Sequence, residues 1–491
     1  MKNKKFSLYD IIKLVENESI SENYVRYLCG LVNEKRYKHQ EVVDIKILIS
    51  LLNLSEKDAR GFIFNYTVPQ LNKEFDIIKI SNNTCVNIEL KSEVKKHEEI
   101  LEQLIQNEHY LKLLGKEKLC LYTFISATKT LYKFNNGEIV ETDVQDLENV
   151  LLNLEAVEID LDEVYKPKNV LVSPLNSSEK FLNNNYLLTE NQRNIKKAIF
   201  EYISSETTDR FVGLTGGPGT GKTLLIYDLA KEFAKSKRIL LVHSGILCSG
   251  HYYLNSRLNN IKIIAAKDLK LREIKDVDIV IVDEAHRLHE MEFNKVNRWV
   301  KRAKAICIFS YDIGQKLSYS EKNRSTSDNI QKLCESKTFK LTNKIRTNKE
   351  LALFITCLLD MSKYREEYKF ENVAIYYEPY KKEAVNFAKK LESNEEYTFI
   401  SYTPSFYNHS MDYQKTDLNT HTIIGQEFEK VCMIIDDNFS YKGNKLVAKW
   451  HPNPDYLFEQ LLYQGLTRVR SKLAIIITEK EVLDKVLSMF T

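Results

Sequence analysis

Glycine and proline are scarce in this chain, at 15 and 8 of 491 residues, so long flexible tails and low-complexity spacers are not expected. No run of 18 apolar residues occurs, so no membrane-spanning helix is expected either. The eight cysteines, at positions 29, 85, 120, 248, 307, 334, 357 and 432, form no CxxC pair. Several sit inside apolar runs, and they read as buried, reduced thiols of a cytoplasmic protein rather than disulfides or zinc ligands. A charge excess is lacking too: 71 Lys and Arg against 68 Asp and Glu leave a net charge of +3. Any track for phosphates must therefore be local. The basic start, Met1 to Lys5, leads into SLYDIIKLVENESI, which carries acids and has no small-residue cleavage site. It reads as a helix and not as a signal peptide.

The length exceeds what one core serves and suits three domains. Residues 1–165 begin with helical periodicity and continue into short β-rich runs, FDIIKI, CVNIEL and CLYTFIS, with a helix among them. Residues 166–185, KPKNVLVSPLNSSEKFLNNN, hold two of the eight prolines among Asn and Ser and read as a linker. From Tyr186 on, apolar runs alternate with amphipathic helices: FVGLTG, RILLVHS, IKIIAA, IVIVDE and AICIFS, then VAIYY, YTFISY, VCMIID and LAIIIT. Strands apolar on both faces and separated by helices imply parallel sheets covered on both sides. Two such sets predict two α/β domains, over residues 186–340 and 341–491.

The stretch Gly216, Gly217, Pro218, Gly219, Thr220, Gly221, Lys222, Thr223 fits the phosphate-binding pattern GxxxxGK[ST] between a strand and a helix. Glycines let backbone N–H groups approach phosphate oxygens, and the helix N-terminus adds a favourable dipole. Lys222 is placed for the β and γ phosphates of ATP and the Thr223 hydroxyl for Mg²⁺. Further on, IVIVDEAH ends a buried strand in two acids. Asp283 suits Mg²⁺ held through water, and Glu284 suits activation of the attacking water.

LTENQ (188–192), the Gly216–Thr223 loop, DEAH, SYDIGQ (310–315), LTNKIRT (341–347), IIGQEFEKV (423–431) and YQGLTRVR (463–470) follow one another in the order of superfamily-1 helicase motifs. The resemblance implies two RecA-like domains and assigns roles position by position. Gln192 resembles the adenine-reading glutamine. Asp312 and Gln315 resemble the γ-phosphate sensor, and Glu427 the motif V acid. Arg346 and Arg468 resemble the two arginines that reach across the domain cleft to the phosphates. Two departures, Ser310-Tyr311 before the motif III acid and Ile424 in motif V, touch nucleic-acid contacts and spare the ATP site. The stretches from Gly216 to Asp283 and from Arg346 to Gly425 are too short for accessory domains, which implies a bare two-domain motor. The pattern is similar to bacterial nuclease–helicase fusions linked to phage defence.

The N-terminal region carries its own constellation. LNKEFDIIKISNNTCVNIELKSE puts Asp76 on one strand and Glu89-Leu90-Lys91 on the next, with SNN as a hairpin turn. The one-residue gap puts Glu89 and Lys91 on one strand face, and a paired strand brings Asp76 beside them. Two carboxylates and a lysine are what metal-dependent phosphodiester cleavage needs: the acids hold Mg²⁺, and Lys91 positions water or offsets charge. This resembles the PD-(D/E)xK nuclease superfamily, which implies a restriction-endonuclease-like α/β domain. Gln106-x-x-x-Tyr110 matches the QxxxY signature of some members, and a helical acid, Glu41, is a further ligand candidate. At about 100° per residue, Gln103, Gln106 and Tyr110 share one face, with Leu101, Leu104, Ile105 and Leu111 opposite.

The expectation is an ATP-driven motor fused to a Mg²⁺-dependent nuclease, acting on nucleic acid, with single-stranded DNA first and RNA second. Two alternatives stand beside it. One is an RNA motor with a non-catalytic N-terminal binding domain, and the other a P-loop switch that controls a protein partner.

Overall fold

The computed structural model describes residues 5–10, 39–68, 71, 73–170, 172–205, 210–270, 276–312, 314–342, 348–450 and 455–490. The helix expected after Ser7 falls mostly on residues 11–38, outside the described residues; Phe6–Ser7 form a short strand, β1. The chain divides into two compact units, Met1–Val170 and Leu171–Thr491.

The first unit is a seven-stranded sheet in simple sequence order, β1 to β7. After β1 come helix α1 (His39–Leu51), β2 (Arg60–Thr67), β3 (Glu74–Ile80), β4 (Thr84–Lys91), α2 (His97–Leu111) and β5 (Lys118–Ile125). Then β6 (Thr130–Asn135), β7 (Glu138–Thr142) and α3 (Val144–Leu151) complete it. Strands β2, β3 and β4 are antiparallel neighbours, and β5 joins β4 in parallel because α2 carries the chain back across the sheet. Val42, Ile45 and Leu48 of α1 pack with Phe62, Phe64, Ile77, Ile88 and Leu90 on one side of the sheet.

The β2–β3 ladder changes face part-way. It pairs Phe64 with Ile77 and Tyr66 with Phe75. The first pair lies in the α1-side core. Of the second, Tyr66 packs on Tyr165 at 5.9 Å and Phe75 on Tyr110 of α2 at 6.2 Å. Asn65, between Phe64 and Tyr66, has φ 49°. That left-handed residue turns the strand over, and Asp76 lies opposite the turn.

The second unit holds two parallel sheets. The first has the order β10-β9-β11-β12-β8-β13. Its strands are β8 (Phe211–Gly216), β9 (Ile239–His243), β10 (Ile261–Ala265), β11 (Ile279–Asp283), β12 (Ile306–Tyr311) and β13 (Thr338–Leu341). Helix α4 (Glu190–Ser204) precedes the sheet and α5 (Lys222–Phe233) follows β8. Strand β11 reads Ile-Val-Ile-Val because helices cover both its faces, and all four side chains are buried. The second sheet, β14-β19-β16-β15, is also parallel: β14 (Val373–Tyr377), β15 (Thr398–Phe399), β16 (Phe428–Ile435) and β19 (Val469–Ile477). A hairpin, β17 (Phe439–Lys442) and β18 (Lys445–Ala448), follows β16. The fold is α/β, with two RecA-like parallel sheets after an antiparallel-rich N-terminal one. Of the apolar runs read as strands, YTFISY yields only the two residues of β15.

Residues 166–185, read as a linker, are packed from Val172 onward. Val172, Leu175 and Phe181 are buried in the core beneath β8 and α5. Phe181 stacks on Tyr186 at 5.1 Å and receives the Lys231 ammonium on its face at 4.4 Å. The Asn176 side-chain oxygen accepts from the Glu427 N–H at 2.9 Å. Asn and Ser imitate a spacer here, while the apolar residues among them anchor the segment.

Candidate nucleotide and acid sites

In the first unit the hairpin β3–β4 brings Asp76 and Glu89 together. Pairing runs from Ile77–Ile88 to Ile80–Cys85, and the Asp76 carboxylate accepts from the Leu90 N–H at 2.8 Å just beyond it. Burial, and next the charge of Glu89, push the Asp76 carboxyl well above the usual carboxylate range; Lys91 opposes this and Glu41 adds to it. Glu89 is held from α2. The Asn107 amide donates to it at 2.7 Å, Gln103 donates from one turn earlier, and Asn87 donates at 3.2 Å. Lys91 ends β4, half-buried. Glu41 accepts from Asn65 at 2.7 Å.

A buried acid whose proton affinity is raised by a neighbouring carboxylate suits a divalent cation, whose charge reverses that effect. Among the described residues, however, no three His, Cys, Asp or Glu side chains are placed to hold a metal by themselves. Mg²⁺ at Asp76 and Glu89 therefore calls for other oxygen donors. One reading of α2 is corrected. Tyr110 shares the buried side with Ile100, Leu104, Asn107 and Leu111, whereas Ile105 is 44% exposed. The helix lies flat on the sheet, so aromatic and aliphatic residues sit together inward.

In the second unit, Gly216 ends β8 where an added Cβ would lie 2.9 Å from the Leu341 carbonyl oxygen and 2.8 Å from the Thr220 hydroxyl. Gly221 takes φ 82° at the start of α5, a conformation that costs glycine nothing. The loop thus bends tightly enough to aim the first N–H groups of α5 into one pocket. That pocket is walled by Pro218 to Thr223, Glu284 and Gln315, and by Gly425, Glu427 and Arg468 from the second sheet's half. The Lys222 ammonium bonds the carbonyls of Gly216 at 2.7 Å and Gly217 at 3.0 Å and lies 3.8 Å from Asp312. Burial lowers its pKa and, against the pull of Lys222, raises that of Asp312.

The Thr223 hydroxyl is 3.4 Å from Asp283 Oδ2, with both residues buried. These are two hard oxygen donors of the kind Mg²⁺ takes, so the pair fits the ion. Glu284 follows with φ 54°, a strained conformation for a side-chain-bearing residue. Burial raises its pKa, yet His286, Arg287, Lys222 and Arg468 together hold the carboxyl well below the usual range. Arg468 is fixed by three bonds, to the Gln464 carbonyl and side chain and to the Gln426 carbonyl. Glu427 makes an ion pair with Arg470 at 2.8 Å. Arg346 lies outside the described residues. Gln192 is fully buried. Its oxygen accepts from the Thr189 N–H at 2.9 Å, closing a capping box on α4, and its amide donates to the Thr220 and Gly221 carbonyls at 3.4 and 3.3 Å.

Residues 210–381 match the family described as Schlafen group 3, DNA/RNA helicase domain. That stretch is helicase-like. No curated protein matches the chain. Among solved structures, Pif1 helicase from Candida albicans is similar at 11% identity, over 62% of this chain and 100% of its own, with a TM-score of 0.34. Bacteroides sp Pif1 in complex with ADP-AlF4 is similar at 11% identity, over 61% and 96%, with a TM-score of 0.29. AMPPCP-bound DnaA from Aquifex aeolicus is similar at 16% identity, over 36% and 55%, with a TM-score of 0.24. At such TM-scores these likenesses carry no argument.

Sequence reasoning missed several residues of these sites. His286 accepts from the Asp312 N–H at Nδ1 (3.1 Å) and donates from Nε2 to the Gln315 carbonyl (3.1 Å), tying the ends of β11 and β12 together. Arg287 joins Glu284 at 3.3 Å to Glu321 at 3.2 Å. Only its place beside the two acids marked His286 in the sequence. Nothing local marked Asn107, Asn65 or Asn176, whose partners lie 18, 24 and 251 residues away.

Proposed function

We propose that this chain is an ATP-driven motor of the superfamily-1 kind, acting on nucleic acid and fused to a Mg²⁺-dependent nuclease. The observation that carries the motor reading is the pocket in which Lys222, Glu284 and Arg468 meet, with Arg468 delivered from the other sheet's half. Lys222 and Arg468 would stabilise the phosphates of ATP, and Glu284, kept ionised, would take the proton of the attacking water. An arginine supplied across such a cleft makes hydrolysis depend on closure. Gln315 and Asp312 sit where they would sense the γ-phosphate, and Glu427 holds Arg470 at the pocket edge. Bound Mg²⁺ would neutralise phosphate charge beside Thr223 and Asp283.

The nucleic-acid reading draws on the family match and on a second groove of this unit, bordered by Lys267, Arg287, Arg324 and Phe406. Phe406 is 84% exposed, and Asp455 fixes its loop by accepting from the Ser405 hydroxyl at 2.5 Å and the Phe406 N–H at 2.8 Å. A rigidly presented aromatic beside cations suits stacking of single-stranded bases. The nuclease reading draws on Asp76, Glu89 and Lys91 around one hairpin, with α1 and α2 supplying Glu41 and the brace for Glu89.

A cytoplasmic setting is in keeping with the seven free cysteines among the described residues. None of the described helices is long and apolar enough to cross a membrane. A role in phage defence follows from the sequence resemblance.

Phosphate release with added single-stranded DNA, then RNA, tests the motor. Stimulation that fades steeply with salt is expected, because phosphate contacts release counterions. A rate indifferent to every oligonucleotide would favour a switch that controls a protein partner. Cleavage of labelled strands with Mg²⁺, lost in Asp76→Ala and Glu89→Ala and slowed in Lys91→Ala, tests the nuclease.

A further inference from the structure

Asn65 carries two costs at one position. Its φ of 49° is left-handed, a strained conformation for a non-glycine residue, even though Asn tolerates it best. The side chain is buried, at 6% exposure, and its Oδ1 has no hydrogen-bond partner. A buried acceptor left unbonded adds a desolvation penalty to that strain. Strain and an orphaned oxygen at one residue mark a place where the fold serves something besides its own stability.

The surroundings say what that is. Asn65 falls between the pairs Phe64–Ile77 and Tyr66–Phe75, which sets it across from Asp76. Its Nδ2 donates to Glu41 at 2.7 Å, so the carboxamide is oriented with the nitrogen toward an acid and the oxygen left over. Asp76 has Glu89 on its other side, where the ladder ends at Ile77–Ile88. The cluster offers carboxylates without three of them converging. Mg²⁺ and Mn²⁺ accept carboxamide oxygens alongside carboxylates.

We propose that Asn65 is a ligand of the divalent cation held by Asp76 and Glu89, through Oδ1, while its Nδ2 positions Glu41 at the same site. This rests on the nuclease reading. The face change of β2 then has a purpose: it turns a strand residue that alternation alone would not place there toward the acids.

The left-handed backbone makes the test clean. Asn65→Gly removes the carboxamide and keeps the conformation without strain, and Asn65→Asp restores an oxygen. Mn²⁺ binding to the full chain without nucleotide is followed by electron paramagnetic resonance, and Asp76→Ala defines the binding that belongs to this site. The expected result is Asp76-dependent binding weakened about 10- to 100-fold in Asn65→Gly, and recovered in Asn65→Asp. Melting of metal-free Asn65→Gly at or above the wild-type temperature is expected alongside it. Wild-type affinity in Asn65→Gly overturns the proposal and leaves the nuclease reading standing. Weakened binding that Asn65→Asp fails to recover, or a metal-free Asn65→Gly protein that melts well below wild type, also overturns it, because both mark a structural role. Mn²⁺ binding that is equal in wild type and Asp76→Ala removes the nuclease reading itself.

Discussion

The ATP pocket and the acid site of the first unit hold their carboxylates in opposite electrostatic surroundings. In the pocket, Lys222, Arg287 and Arg468 stand among Asp283, Glu284 and Asp312, and Glu284 stays ionised although it is buried. In the first unit, Asp76 is buried with Glu89 and Glu41 near it, the Leu90 N–H and the Lys91 charge do not offset them, and its carboxyl is pushed up. Burial works against charge in both places. What differs is whether the chain brings its own cations. On the proposed roles, a site that needs an ionised base at rest has its cations built in, while a site meant for a bound ion leaves part of the positive charge to come from solution.

The largest test of this contrast is Arg468→Ala. If Arg468 serves the phosphates as proposed, removing this cation beside Glu284 should lower ATP turnover by about 10³- to 10⁵-fold, read as phosphate release. A loss under about tenfold would mean that the pocket does not depend on the far half of the unit. A middle-sized effect is expected at Gln192. Its amide braces the loop at Thr220 and Gly221, so Gln192→Ala should raise KM about tenfold for ATP and GTP alike, on the order of one lost bond to a well-placed carbonyl. Loss of ATP-over-GTP preference instead would support the adenine role that the resemblance implies for Gln192.

The smallest effect is thermodynamic. Asp76 has a folded pKa above its unfolded one, so its ionisation is penalised in the native state. The penalty is absent below the unfolded value, near 3.8, and grows as pH rises toward the folded value. Asp76→Asn, which can still accept from the Leu90 N–H, should therefore melt higher than wild type at pH 8 without metal, by about 2–4 °C per kcal/mol relieved. The gain should shrink toward acid pH. Equal melting temperatures across pH would show that Asp76 is not penalised and would erase the contrast.

Much of both sites was legible because their chemistry is local in the chain. A phosphate loop is eight consecutive residues whose backbone does the binding, and Asp283-Glu284 sit where an apolar run ends. The hairpin that brings Asp76 to Glu89 is likewise short, with Ser81, Asn82 and Asn83 at its turn. The strands were legible because a sheet covered on both faces needs unbroken apolar runs.

Residues whose partners are distant in sequence were settled only by the tertiary structure. Composition made residues 166–185 a spacer, yet Leu175 and Phe181 found a core and Asn176 met Glu427. Periodicity put Tyr110 on a polar face, but the sheet beneath α2 offered Phe75. The imidazole of His286 became a bridge only because β11 and β12 are neighbours in the sheet. At Asn65, alternation fails outright, since one left-handed residue reverses which face each later side chain meets. By itself the sequence determined where most strands would run and which residues to expect at a phosphate or cation site, because those expectations depend on side-chain type and nearest neighbours. Which charges stand next to one another, and hence which acid stays ionised and which is pushed up, was decided by the folded chain, because electrostatic energy depends on distance and burial and not on sequence separation.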